Sequence, residues 1–340
     1  FSFILSENRK HEHNTLNITI NHNSFVEIFI SRQPNAMILG YSLSPGGLLF
    51  PWHIGALAGL SHHQYLTDKN PLAGSSAGAI AVASHAANVK PEAAIEATIR
   101  MSDECRTLGQ ARGNLLPLLG SELEKLLDDD VHEKYNEREG FVGFAYREIF
   151  PVNRPVLDTY FDSKHHVIDS VCNSSMFPFF STNFPCRFAR SKGNLPRIAV
   201  DGYFSVDRSR FGCPCLQTMD HARKTLTDDD NNEESKTKGA FVDRTISLSV
   251  FPHDVFGISA FESHDKISPQ LEDPENTTAQ MSELLRLATQ CGTAKEYHDL
   301  YEKGWGDAER WIKEEERRGY WGSSTDSRRK YYAQALDELN

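Results

Sequence analysis

The sequence lacks several of the usual pointers to function. No run of eighteen apolar residues occurs, so no segment reads as a spanning helix. Basic residues are the minority, 36 against 47 acidic, a formal charge of −11. That balance argues against nucleic acid as a partner, since phosphate binding runs on clustered Lys and Arg. It also leaves no polybasic segment to hold the chain on anionic lipid by charge alone. Cysteine is sparse, six in 340 residues, and none forms a CxxC pair. Cys213-Pro-Cys215 is too tight for a zinc knuckle, so no metal site is expected, and a reduced, intracellular compartment fits better than a disulfide framework. The N-x-S/T tripeptides at Asn17, Asn173 and Asn276 occur at chance frequency and do not establish secretion. The first residue is Phe1 rather than Met, which is expected of a fragment or a processed form.

What is present is enough for a packed core: 39% hydrophobic and 24% charged residues. Residues 1–35 are polar, with one strand-like stretch at Phe25–Ile30, and read as a loosely attached segment that adds an edge strand. From residue 36 the pattern sharpens. Ala36–Ser42 is a short apolar run of strand length, followed by Ser44-Pro45-Gly46-Gly47, which no regular element accommodates. Leu48–Leu60 then returns to helical spacing. The sequence repeats the pattern at Pro71–Gly74, the small-residue turn Ser75–Gly78 and an Ala-rich helix over Ala79–Val89. Further helices are predicted from Pro91 to Met101, from Ser121 to Lys134 with Ser121 and Glu124 at capping-box spacing, and from His165 to Cys172. Strands are predicted at Ile198–Val200, running into Asp201-Gly202, and at Arg244–Val250. Residues 220–239 are charged and without apolar anchors, a solvated loop. After residue 262 the chain becomes acidic and amphipathic, with helices predicted at Ser282–Ala288, Ala294–Tyr301 and Ala308–Arg317. Strands alternating with helices across glycine-rich turns imply an α/β sheet covered on both faces, with ligands at the carboxyl ends of the strands.

Three elements carry chemistry. Gly74-Ser75-Ser76-Ala77-Gly78 matches G-x-S-x-G. A nucleophilic serine on a sharp strand-to-helix turn needs small residues two before and two after it, because the turn brings them together. Gly46 and Gly47, 29 residues before Ser76 for the latter, form a second strand-to-helix turn whose bare N–H groups suit an oxyanion. Asp201 follows a buried strand and precedes Gly202, so its carboxylate can emerge at the sheet edge as a general base.

In that order and spacing the three elements resemble the patatin-like phospholipase family, over roughly Ala36 to Ile258. The loop Ser44-Pro45-Gly46-Gly47-Leu48-Leu49-Phe50 and the following Trp52-His53-Ile54-Gly55 are most similar to the adiponutrin and triglyceride-lipase branch. The stretch Val167–Pro178 resembles the family's run of small residues ending in proline. The resemblance implies a three-layer α/β/α domain with a mostly parallel sheet over 36–262, with 263–340 as an acidic helical extension. It implies a serine lipid acyl hydrolase working through Ser76 and Asp201, with Gly46 and Gly47 as oxyanion donors, Gly74, Gly78 and Gly202 as motif support, and neither metal nor cofactor. The implied partner is a lipid ester, with peripheral contact to a membrane or lipid droplet, in cytoplasm, on a droplet or in a plastid. Three positions depart from the family's pattern: Pro45, which has no N–H, Phe50 in place of a glycine, and Tyr203 where a small residue is commoner. Two other readings compete. One is an α/β-hydrolase triad using His253 or His264; the other is a non-catalytic lipid-binding or scaffold protein on the same fold. His53 reads as a packed core residue rather than a catalyst.

Overall fold

The computed structural model describes residues 38–189, 196–216, 242–252, 261–271 and 276–319. The expected edge strand at 25–30, the loop at 220–239 and His253 lie outside the described residues. Eight strands form one sheet: β1 Leu39–Leu43, β2 Leu72–Ser75, β3 Val142–Phe150, β4 Arg154–Asp158, β5 Arg187–Ala189, β6 Arg197–Val200, β7 Arg244–Leu248 and β8 Lys266–Ile267. Their order is β5-β6-β3-β2-β1-β7-β8, with β4 also on β3. Pairings β2–β3, β1–β2, β1–β7 and β7–β8 are parallel, and β4, β5 and β6 enter antiparallel. The helices that flank the sheet are α1 Phe50–His62, α2 Ala77–Ala86, α3 Pro91–Thr107, α4 Leu115–Leu126, α5 Val131–Glu137, α6 Lys164–Ser174, α7 Thr277–Thr289 and α8 Ala294–Arg318. The expected α/β architecture with its mostly parallel sheet is therefore present.

The central parallel strands β1 and β2 are buried along their whole length, as strands covered on both faces must be. Helix α1 is buried from Phe50 to Leu57, apolar on every side rather than along one stripe. It has two neighbours to satisfy, and the second is α8. The helices cross at glycines. A Cβ on Gly55 would fall 2.0 Å from the Tyr301 carbonyl oxygen, and one on Gly304 would fall 2.0 Å from that of Trp52. The Trp52 indole N–H donates to Asp307 at 2.8 Å, and Asp307 pairs with Arg310 at 2.7 Å. From the start of β7, next to the edge strand β8, Arg244 reaches Glu315 of α8 at 2.6 Å. The C-terminal helices, which the sequence sets apart as an extension, thus pack onto the same unit as the sheet.

Several local expectations need correcting. The helix expected over Ser121–Lys134 is two helices, α4 and α5, parted near Asp128-Asp129-Asp130. Ser121 lies inside α4, which starts at Leu115 because Pro117 falls in its first turn, where a missing N–H costs nothing. Among the described residues a capping box is formed instead by Thr293 and Glu296, at the start of α8. The two helices expected at 294–301 and 308–317 are one of 25 residues. Gly304 and Gly306 suggest a break by propensity, but Gly304 is retained inside the helix because only it admits the backbone of α1 so closely.

Candidate active site

The sheet register brings the key residues together. β2 runs parallel to β3 and ends with Ser75 opposite Ala145. β6 runs antiparallel to β3 and ends with Val200 opposite Arg147. β4 occupies the other edge of β3 along the same stretch. So β2 and β6 share one edge of β3 and meet end to end, their carboxyl termini facing across the width of Tyr146. Ser76 follows one terminus and Asp201 the other. Gly202 confirms how closely the chains meet, since a Cβ there would lie 2.7 Å from Ser75 Cβ and 2.4 Å from the Ala145 carbonyl oxygen.

Ser76 sits at φ 53° and ψ −120°, a left-handed conformation that a serine adopts only under constraint. The constraint is visible on both sides. A Cβ on Gly74 would be 2.3 Å from the Gly78 carbonyl carbon, and one on Gly78 would be 2.6 Å from the Leu43 carbonyl oxygen. The small residues of the motif are there because the turn folds back onto β1 and onto itself. Helix α2 starts at Ala77, so its unpaired N-terminal N–H groups lie next to the half-buried Ser76 side chain.

A residue that sequence reasoning missed completes the turn. The Ser76 N–H donates to Ser174 Oγ at 2.9 Å, and the Ser174 hydroxyl donates to the Ala145 carbonyl at 2.6 Å. One side chain from α6 therefore ties the turn to β3. The small-residue run over Val167–Pro178 was the available signal, but nothing in it distinguishes Ser174 from Ser170 or Ser175.

Asp201 is fully buried. Its Oδ1 accepts the Tyr203 N–H at 2.8 Å. Burial pushes the carboxyl up to about 7, against the Tyr203 N–H and the Ser76 hydroxyl, which both favour the charged form. Oδ2 has no partner at hydrogen-bonding geometry. The serine hydroxyl is thus near enough to act on the carboxylate without closing an aligned bond on Oδ2, as is common before substrate arrives.

The Gly46-Gly47 turn lies at the end of β1, beside β2. Gly47 has φ +56°, and its Cβ position would lie 2.2 Å from the Ala288 carbonyl oxygen, so α7 backs this turn. Gly46 faces Val250, whose side chain would be 2.6 Å from a Cβ. Among the described residues the N–H groups of Gly46 and Gly47 donate to no backbone carbonyl. Pro45 packs against Gly212, Phe50 is buried at the start of α1, and the Tyr203 ring turns toward Phe177 and Phe204. His53 donates from Nε2 to the Ser44 carbonyl at 2.9 Å, while its Nδ1 is buried without a partner. Burial lowers its pKa to about 4, outweighing that bond, so it is neutral and braces the turn. His264 lies beside β8, where its carbonyl accepts from Trp311 and Arg244. An apolar cleft starts at Gly47 and Leu48 and runs past Ile80 of α2 and Met101 of α3 to Leu119 and Leu123 of α4. At its side stands Glu122, paired with Arg100 and Lys125, each at 2.7 Å.

Residues 41–208 match the sequence model of the patatin-like phospholipases, a family whose members are lipid acyl hydrolases. The match is to the family and does not separate its branches. Among solved structures the chain is similar to VipD from Legionella pneumophila, at 9% identity and a TM-score of 0.37, over 82% of this chain and 67% of that one. No curated protein matches it in sequence.

Proposed function

We propose that the chain is a serine lipid acyl hydrolase with Ser76 as nucleophile and Asp201 as general base. The observation that carries this reading is the end-to-end meeting of β2 and β6, which sets the two residues side by side. Asp201 takes the hydroxyl proton as Ser76 Oγ bonds to the ester carbonyl carbon. The carbonyl electron pair moves to oxygen, where the free N–H groups of Gly46 and Gly47 stabilise it. Collapse breaks the bond to the alcohol, which leaves with the proton from Asp201. Water, deprotonated by Asp201, then attacks the acyl-enzyme, the carbon–Oγ bond breaks, and the proton returns to Ser76. The cleft that begins at Gly47 and Leu48 gives the acyl chain an apolar path from the reacting carbon.

The test is fatty-acid release from mixed-lipid vesicles and from p-nitrophenyl esters, wild type against Ser76→Ala. Release by the wild type alone supports the reading and identifies the lipid class. Equal release by both, or none by either, rejects it, and in the second case a non-catalytic lipid-binding role takes its place.

A further inference from the structure

Among the described residues Phe50, Phe144 and Phe161 are buried in the core, but a group of phenylalanines near Asp201 is exposed. Phe184 and Phe188 are 68% and 76% exposed, and Phe177, Phe179, Phe150 and Phe204 are each at least about a third exposed. They are not scattered. Phe177 stacks on Phe204 at 5.6 Å between ring centroids, and Phe204 lies three residues beyond Asp201. The Phe179 N–H donates to the Phe184 carbonyl, which fixes those two side by side. Phe150 of β3 and Phe188 of β5 both pair with Ile198 of β6, so the three stand abreast on one face of the sheet. Val200 continues that face two residues on, opposite Arg147, whose guanidinium donates to the Phe204 carbonyl at 3.1 Å. The strand row and the aromatic turn therefore belong to one surface.

That surface is held rather than loose. Phe179 has φ +58°, a conformation a bulky side chain adopts only when its surroundings impose it. Arg112 donates to its carbonyl at 2.7 Å, and Gly113 and Leu116 donate to the carbonyls of Phe180 and Ser181. The neutral Thr182 hydroxyl accepts the Phe184 N–H at 3.1 Å, and the two charged side chains that hold the aromatic backbone, Arg112 and Arg147, are both cations, although the chain as a whole is acidic. Exposed phenylalanines flanked by two arginines suit the boundary between lipid headgroups and acyl chains.

We propose that the face formed by Phe177, Phe179, Phe184, Phe188 and Phe204, with Arg112 and Arg147, docks the protein on an anionic lipid surface. This rests on the hydrolase reading only for its purpose, because a Ser76 site whose rim sits in lipid receives its ester without releasing it to water.

The experiment measures partition of Ser76→Ala protein onto phosphatidylcholine vesicles with and without phosphatidylglycerol. In that background Phe184→Ser/Phe188→Ser is compared with Leu285→Ser, an exposed leucine on α7. The parent is expected to bind, more tightly with phosphatidylglycerol and less so at high salt. The double variant is expected to bind about tenfold more weakly or worse, and Leu285→Ser as the parent does. With Ser76 restored, the double variant should lose vesicle hydrolysis in proportion while turning over p-nitrophenyl butyrate at the wild-type rate. Unchanged binding of the double variant, equal loss in Leu285→Ser, or a parallel fall on the soluble ester each overturns the proposal. A wild type that binds vesicles but hydrolyses neither substrate sinks the hydrolase reading and leaves the docking face standing.

Discussion

The Ser174 hydroxyl holds the Ser76 N–H at 2.9 Å while donating to Ala145 at 2.6 Å, so one small side chain fixes the nucleophile's turn against the central strand. The same serine makes no direct contribution to charge at the reacting carbon. Ser174→Ala should therefore leave a folded protein with a misplaced nucleophile. The expected loss is about 1–2 kcal/mol in transition-state stabilisation, or roughly tenfold in kcat/KM, carried by kcat with KM little changed. Ester-hydrolysis kinetics beside a circular-dichroism melt check both halves.

The buried Asp201 carboxyl, raised to about 7, sets a pH dependence. A base works only when deprotonated, so kcat/KM should climb as pH rises through about 7 and level off above it. Stability moves the other way. The folded pKa lies above the unfolded value of about 3.9, so the group's favourable contribution is complete below pH 4 and lost as pH rises through 7, by as much as about 4 kcal/mol. Asp201→Asn should then be inactive yet melt higher than wild type at pH 8, with the gap closing at pH 5. Melts at the two pH values read this directly.

His53 is the nearest titratable rival to Asp201 for that pH limb. Its pKa is lowered to about 4 by burial, which outweighs its bond to Ser44, so it does not change charge near neutrality. His53→Gln keeps a donor for the Ser44 carbonyl, and its rising limb should remain near pH 7. A limb that vanishes in this variant would hand the role of base to the histidine.

The two glycines in the middle of α8 should respond oppositely. Gly304→Val places a side chain where the Trp52 carbonyl oxygen stands, 2.0 Å from the Cβ position, and should cost about 3 kcal/mol or more. Gly306 is exposed with nothing within 4 Å of its Cβ position, so Gly306→Ala should stabilise by up to about 1 kcal/mol. Denaturant melts of the two variants test whether α8 is integral to the core that supports Gly46 and Gly47.

The legible part of the molecule was local. The β1–turn–α1 and β2–turn–α2 units announce themselves because short apolar runs abut glycines, and Asp201 because its strand stops at Asp-Gly. What was not legible comes from chain segments far apart in sequence. Ser174 acts on a residue 98 positions away, and no neighbour of Ser174 encodes that. The backing of Gly47 by Ala288 and of Gly55 by Tyr301 depends on where α7 and α8 land, which their amphipathic pattern leaves open. The strands β4, β5 and β8 are short or polar enough that pairing, not propensity, makes them strands.

Ser76 as a nucleophile activated by Asp201 has a distinctive chemical signature. Fluorophosphonate labelling, mapped by peptide mass spectrometry on folded protein, tests it most directly. One adduct is expected, on Ser76, absent in Ser76→Ala and formed at least about a hundredfold more slowly in Asp201→Asn at pH 8. Labelling at another residue, or at Ser76 with undiminished rate in Asp201→Asn, would contradict it.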